Sequence, residues 1–105
     1  MPAISTNSIP GEKKPRKIIP FPLGNIYITR GAQEKLNNQE VTQALIRHVC
    51  GDWGNLCLED WELNNEALVR GFRILSSYVA QNGQKFWIIT EADRTATTIL
   101  LPEEY

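Results

Sequence analysis

No apolar run in this sequence approaches the ~20 residues that a membrane-crossing helix needs. Histidine occurs once, at His48, and cysteine twice, at Cys50 and Cys57. There is no Cys-x-x-Cys pair and no glycine-rich phosphate loop of the GxGxxG or Walker type. A structural zinc site and a nucleotide-cradling loop therefore both lack their sequence basis. The opening residues, Met1-Pro2-Ala3-Ile4-Ser5, have no apolar core behind a basic end, as a secretory signal would. Two cysteines without an export signal fit free thiols in a reducing compartment, so a cytoplasmic protein is expected.

Charge of one sign is also scarce, because the net of −1 over 105 residues hides an uneven split. Residues 1–20 carry Lys13, Lys14, Arg16 and Lys17 against Glu12 alone, a net of +3. The other 85 residues hold seven basic and eleven acidic side chains, a net of −4. A globule of that sign does not attract nucleic acid over its whole surface, so RNA contact would have to come from the basic tail or a local patch. The tail is rich in Pro, Ser, Asn and Lys without apolar period, and residues 1–20 are expected to be flexible. Residues 21–105 suffice for one domain burying roughly two-thirds of its unfolded surface.

Within that domain, Ile26-Tyr27-Ile28-Thr29 reads as a short strand, β-branched and aromatic. Thr29 is placed to cap a short helix over 32–36. A longer helix is expected over 39–50, capped by Asn38, with Val41, Ala44, Leu45, His48 and Val49 on one stripe at about 100° per residue. Gly51 is placed to end it in the left-handed conformation. A third helix is expected over 58–70, with Glu59 and Asp60 at its positive end, Arg70 in its last turn and Gly71 as its stop. Its buried face should be Leu58, Trp61, Leu68 and Val69, with Asn65 inside that stripe requiring a hydrogen-bond partner.

From residue 72 the apolar period changes to two. Strands are expected over 72–80 and 85–90 around Asn82-Gly83, with a third over 95–101. A two-residue turn would pair Val79 with Phe86 and Ser77 with Ile88. One face would then carry Leu75, Ser77, Val79, Phe86, Ile88 and Thr90, and the other Ile74, Ser76, Tyr78, Trp87 and Ile89. The order predicts an α+β fold: an N-terminal strand, three helices, then a three-stranded antiparallel meander with the helices on one face.

Few residues carry chemistry. His48, Cys50, Asp52 and Cys57 fall close together, but His48 and Cys50 are about 200° apart on a helix and cannot reach one ion, so no metal and no cofactor are expected. His48 on an apolar stripe is more often a hydrogen-bonded core residue than an acid–base catalyst. The functional alternative sets His48 over a sheet bearing Arg73 and Thr98, where the imidazole would move a proton and the guanidinium would stabilise phosphoryl charge. Trp53, Trp61, Tyr78 and Trp87 are the candidates for an aromatic protein-binding surface.

Two resemblances add to this. Gly51-Asp52-Trp53-Gly54, Glu59-Asp60-Trp61, Trp87-Ile88-Ile89-Thr90-Glu91-Ala92-Asp93-Arg94 and the run from Thr97 through Leu101-Pro102-Glu103-Glu104-Tyr105 resemble a family of small bacterial plasmid- and mobile-element-related proteins over residues 23–105. Some of these are labelled type I restriction subunit proteins, although this chain has no methyltransferase motif. The resemblance implies a cytoplasmic accessory protein. The strand–helices–meander order is also similar to RelE and barnase-like ribonucleases, which implies a metal-independent nuclease with His48, Arg73 and Thr98 as the positions to test. Most such toxins are basic and this globule is not. The reading favoured is a non-catalytic protein with a protein partner and no membrane association, as a monomer or small homo-oligomer.

Overall fold

The computed structural model describes residues 20–105, and the tail expected over 1–20 lies, except for Pro20, outside the described residues. Four strands and three helices follow in the order β1 (Asn25–Ile28), α1 (Arg30–Lys35), α2 (Asn38–Val49), α3 (Leu58–Arg70), β2 (Ile74–Val79), β3 (Lys85–Thr90) and β4 (Ala96–Leu100), with a closing 3₁₀ turn at Pro102–Glu104. The fold is α+β. Its sheet is ordered β1-β4-β3-β2: β2, β3 and β4 form the antiparallel meander, and β1 joins alongside β4 in parallel.

The helix boundaries follow local chemistry. Thr29 caps α1, its hydroxyl accepting from the Ala32 amide at 3.2 Å. Asn37, one residue before the cap read from sequence, caps α2: its Oδ1 accepts the Glu40 amide at 2.7 Å while its Nδ2 donates to the Glu40 carboxylate at 3.1 Å. At the other end of α2, Gly51 takes φ +84°. There the amides of Gly51 and Asp52 donate back to the carbonyls of His48 and Arg47, the double closure that a left-handed terminal residue permits.

The hairpin corrects the expected register. β2 and β3 pair Tyr78 with Phe86, Ser76 with Ile88 and Ile74 with Thr90. The loop is three residues rather than two: Ala80 and Gln84 are the last bonded pair, and Gly83 sits at φ +87°. A three-residue loop with a left-handed glycine closes one residue later than an Asn-Gly two-residue turn, and a one-residue slip exchanges the two faces of a strand. The helix-facing side of the hairpin is therefore Ile74, Ser76 and Tyr78 with Phe86, Ile88 and Thr90, all buried.

Two apolar clusters fill the space beneath the helices. One gathers Leu36, Val41 and Ala44 from the helical side against Tyr78, Phe86, Ile88 and Ile99 of the sheet. The other gathers Phe21, Trp53, Trp61, Ala67 and Ile74. The predicted buried face of α3 is corrected here: Trp61 is buried, but Leu58 and Val69 are exposed, and Asn64, Asn65 and Ala67 take the inward positions. The reason is that α3 runs along the outer edge of β2. Asn64 Oδ1 accepts the Leu75 amide at 3.3 Å and its Nδ2 donates to the Leu75 carbonyl at 2.5 Å. One buried side chain thus completes a strand's backbone bonding. Replacing Asn64 with Ala should cost about 2 kcal/mol, two bonds at ~1 kcal/mol each, as read by urea unfolding.

Candidate functional site

The Gly51–Asn55 segment folds back onto β2 as a short parallel partner. Gly54 bridges Ser77, the Ser77 amide donates to the Trp53 carbonyl at 3.1 Å, and the Asn55 amide donates to the Ser77 carbonyl at 2.6 Å. Asp52 holds the segment to α2, its carboxylate taking Arg47 Nε at 2.8 Å and Nη2 at 3.2 Å, while the Tyr78 hydroxyl donates to the Asp52 carbonyl at 2.8 Å. The Arg47 guanidinium lies over the Tyr78 ring at 4.9 Å. Trp53 is thereby driven fully inside, where its indole N–H donates to Asn65 Oδ1 at 2.9 Å. This is the partner that Asn65 required.

His48 sits at the centre of the packing with no exposed surface. Phe21 and Trp53 meet its ring edge-on, at centroid distances of 5.5 and 5.7 Å. Its Nδ1 is 2.5 Å from Ser76 Oγ and its Nε2 is 2.9 Å from Thr90 Oγ1. Thr90 Oγ1 is 2.8 Å from Thr97 Oγ1, and Thr97 donates to the Leu23 carbonyl at 2.7 Å. Each hydroxyl has a single proton, so the direction of the whole relay follows from its end. Thr97 spends its proton on Leu23 and must accept from Thr90. Thr90 therefore accepts from Nε2–H, and Ser76 donates to a bare Nδ1. Burial, reinforced by the positive charge of Arg94, pushes the imidazole pKa down to about 3. His48 is a neutral core histidine whose two nitrogens are both occupied.

The expected catalytic trio does not converge. Side chains alternate across a strand: Thr97 turns toward His48, so Thr98 turns to the opposite face of the sheet. Arg73 lies exposed before β2, its Nη1 donating to the Tyr105 hydroxyl at 2.7 Å and its Nε standing 3.7 Å from the Glu91 carboxylate. The sheet separates His48 from both partners. The expected aromatic surface is also corrected, because Trp53, Trp61 and Tyr78 are all core residues. Large rings placed beside glycine turns and on the inner face of the hairpin are what the structure buries most. Trp87, half-buried, is the exception.

Trp87 lies on the sheet face turned away from the helices. Tyr105 folds across it from the C-terminal turn, with ring centroids 5.7 Å apart, and the Arg73 guanidinium lies 5.3 Å from the Tyr105 ring centre. Tyr27 pairs with Thr98 on β4 and is 54% exposed, and Tyr105 is 66% exposed. The resulting platform of Trp87, Tyr105 and Arg73 gathers an indole, a phenol and a guanidinium on one accessible face. Sequence reasoning missed Tyr105, since no local signal places a terminal residue beside Trp87.

Two further groups serve structure. Glu104 accepts from Thr29 Oγ1, from the Gly31 amide at 3.0 Å and from the Leu101 amide at 2.9 Å, which ties the C-terminal turn to the start of α1. Those bonds, the Thr29 hydroxyl first, hold its carboxyl below the usual range. Arg94, at φ +61°, donates to the carbonyls of Phe72, Glu91 and Ala67, which locks the β3–β4 turn onto the end of α3. Cys50 and Cys57 are exposed free thiols. Among the described residues no three His, Cys, Asp or Glu side chains gather into a metal-binding group, and no helix is long and apolar enough to cross a membrane.

Fold and site together define a single-sheet α+β protein with one helical layer, a sealed histidine and an aromatic–arginine platform on the far face. No family model matches the chain, and neither does a curated protein or a solved structure.

Proposed function

We propose that this chain is a small cytoplasmic accessory protein, of the mobile-element type its motifs resemble, that binds another protein and performs no catalysis of its own. One observation carries this reading. The only imidazole is neutral, enclosed and committed on both nitrogens, whereas Trp87, Tyr105 and Arg73 are presented together on the open sheet face. Tryptophan, tyrosine and arginine are the residue types that dominate binding energy at protein interfaces. Free surface thiols agree with a reducing compartment.

The test is affinity capture of the full chain with a single stoichiometric partner, compared with Trp87→Ala and Tyr105→Ala. Each variant should weaken capture at least tenfold, the effect of losing roughly 1.4 kcal/mol at one aromatic anchor. Trp53→Ala would be uninformative, because it empties the core. Retained capture in both variants would remove the platform from the interface. The nuclease reading has its own measurement. Growth arrest on induced expression, relieved by Arg73→Ala with the fold intact, would displace the non-catalytic reading.

A further inference from the structure

The two edges of the sheet are treated in opposite ways. On β2 the outward backbone groups of Leu75 and Ser77 are all bonded, Leu75 by Asn64 and Ser77 by Trp53 and Asn55, which leaves open only those of Val79 at the strand's end. On β1 the amides of Asn25 and Thr29 donate inward to Thr95 and Ile99 of the β4 side. Backbone groups alternate along a strand, so the N–H and C=O of Ile26 and Ile28 point outward. No described residue bonds them. Every residue of β1 is exposed, Ile26 at 51% and Ile28 at 37%, and none carries a charge or is proline, the usual means of blunting an edge.

We propose that a second copy of this chain occupies the β1 edge, antiparallel, about a two-fold axis through Tyr27. The outward groups at 26 and 28 are symmetric about residue 27. An inverted copy therefore places Ile26 opposite the other Ile28 and satisfies every exposed donor and acceptor of the strand, as an isologous interface requires. Tyr27 faces its own equivalent on one side of the sheet, and the isoleucines pair on the other. Charge fits the same operator. Arg30 lies just past the strand's C-terminal end and β1 itself carries no charge, so no like charges meet along the paired strands.

The chain's own preceding residues are the weaker occupant. Phe21, which leads into β1, is packed beside Trp53 and His48 beneath the helices and not along the β1 edge. A four-residue edge buries less than the ~1,200 Å² of a stable interface, so the association falls in the micromolar-to-millimolar range. This surface is distinct from the Trp87 platform.

The test is sedimentation of the full chain from about 5 µM to about 1 mM, the span such an interface demands. The weight-average mass should rise from 11.9 kDa toward twice that value. Ile26→Pro removes only an outward N–H and Ile28→Lys sets like charges across the axis; each should hold the mass at the monomer, whereas Trp87→Ala should leave the rise intact. Hydrogen exchange on the unmodified chain serves where a variant misfolds: the Ile26 and Ile28 amides should slow about tenfold or more between the dilute and concentrated samples. Three results would overturn the proposal: a monomer at every concentration, a dimer that folded Ile26→Pro and Ile28→Lys leave unchanged, or protection of these amides that does not vary with concentration.

Discussion

Adding one methyl group at position 54 should destabilise the protein by about 3 kcal/mol or more, a large share of the total for a domain of this size. Gly54 holds φ +77°, and a Cβ there would lie 2.0 Å from the Ser77 carbonyl oxygen and 2.7 Å from the Tyr78 ring. The left-handed backbone alone costs an alanine about 1 kcal/mol. The contact cannot be relieved by a flexible side chain, since its nearest atom is backbone. The segment must lift from β2, which releases the two Ser77 backbone bonds at ~1 kcal/mol each. Gly71→Ala is the internal control: it has the same φ of +77°, with nothing within 4 Å of the added carbon. It should show only the backbone cost, about 1 kcal/mol. Equal losses for the two variants in urea unfolding would mean that the Gly51–Asn55 segment is not held against the sheet.

That contrast marks what can be read from the residues and what cannot. The helix stops were legible, because a left-handed terminal residue is a local requirement and Gly51 and Gly71 meet it. So were the bounds of the third helix, the Thr29 cap and the placing of His48 on the buried stripe of α2. The hairpin was legible as a hairpin but not in register, since Asn82-Gly83 serves either a two- or a three-residue loop and only the burial of Tyr78 with Phe86 selects between them. Pairings between distant segments were not legible. Nothing near Asn64 indicates that it will bond Leu75, nothing near Gly54 that it will lie against Ser77, and nothing in β1 that its neighbour is β4, in parallel. The candidate site failed for the same reason. Placing His48, Arg73 and Thr98 together required knowing which side of the sheet each would face, and a single strand period put Thr98 on the wrong one.

Lowering the pH from 7.5 to 5.0 should cost the wild-type protein about 2 kcal/mol of stability, and His48→Gln should remove most of that dependence. In the unfolded chain the imidazole titrates near ~6.5; in the fold, burial first and Arg94 second push it down to about 3. The unfolded state therefore takes up the proton as the pH falls through this interval and the folded state does not. Stability is complete above the unfolded value and falls by ~1.4 kcal/mol for each pH unit below it. The sign is the reverse of a histidine that gains a carboxylate partner. Protonation would require Nδ1 to become a donor toward Ser76, whose own proton already points at it, with Phe21 and Trp53 closing off water. The carboxyl groups of Asp93 and Glu104, held low by Thr95 and Thr29, add losses of the same sign only at more acid pH. The interval from 7.5 to 5.0 thus isolates the imidazole. The substituted glutamine amide can keep a donor toward Thr90 and an acceptor toward Ser76 but has no proton to gain, so the variant's stability should be nearly flat across the same range. A wild type equally stable at both pH values would mean that water reaches His48 and that the relay from Ser76 to Leu23 opens in solution. The imidazole would then be available for the proton transfer that its burial denies it.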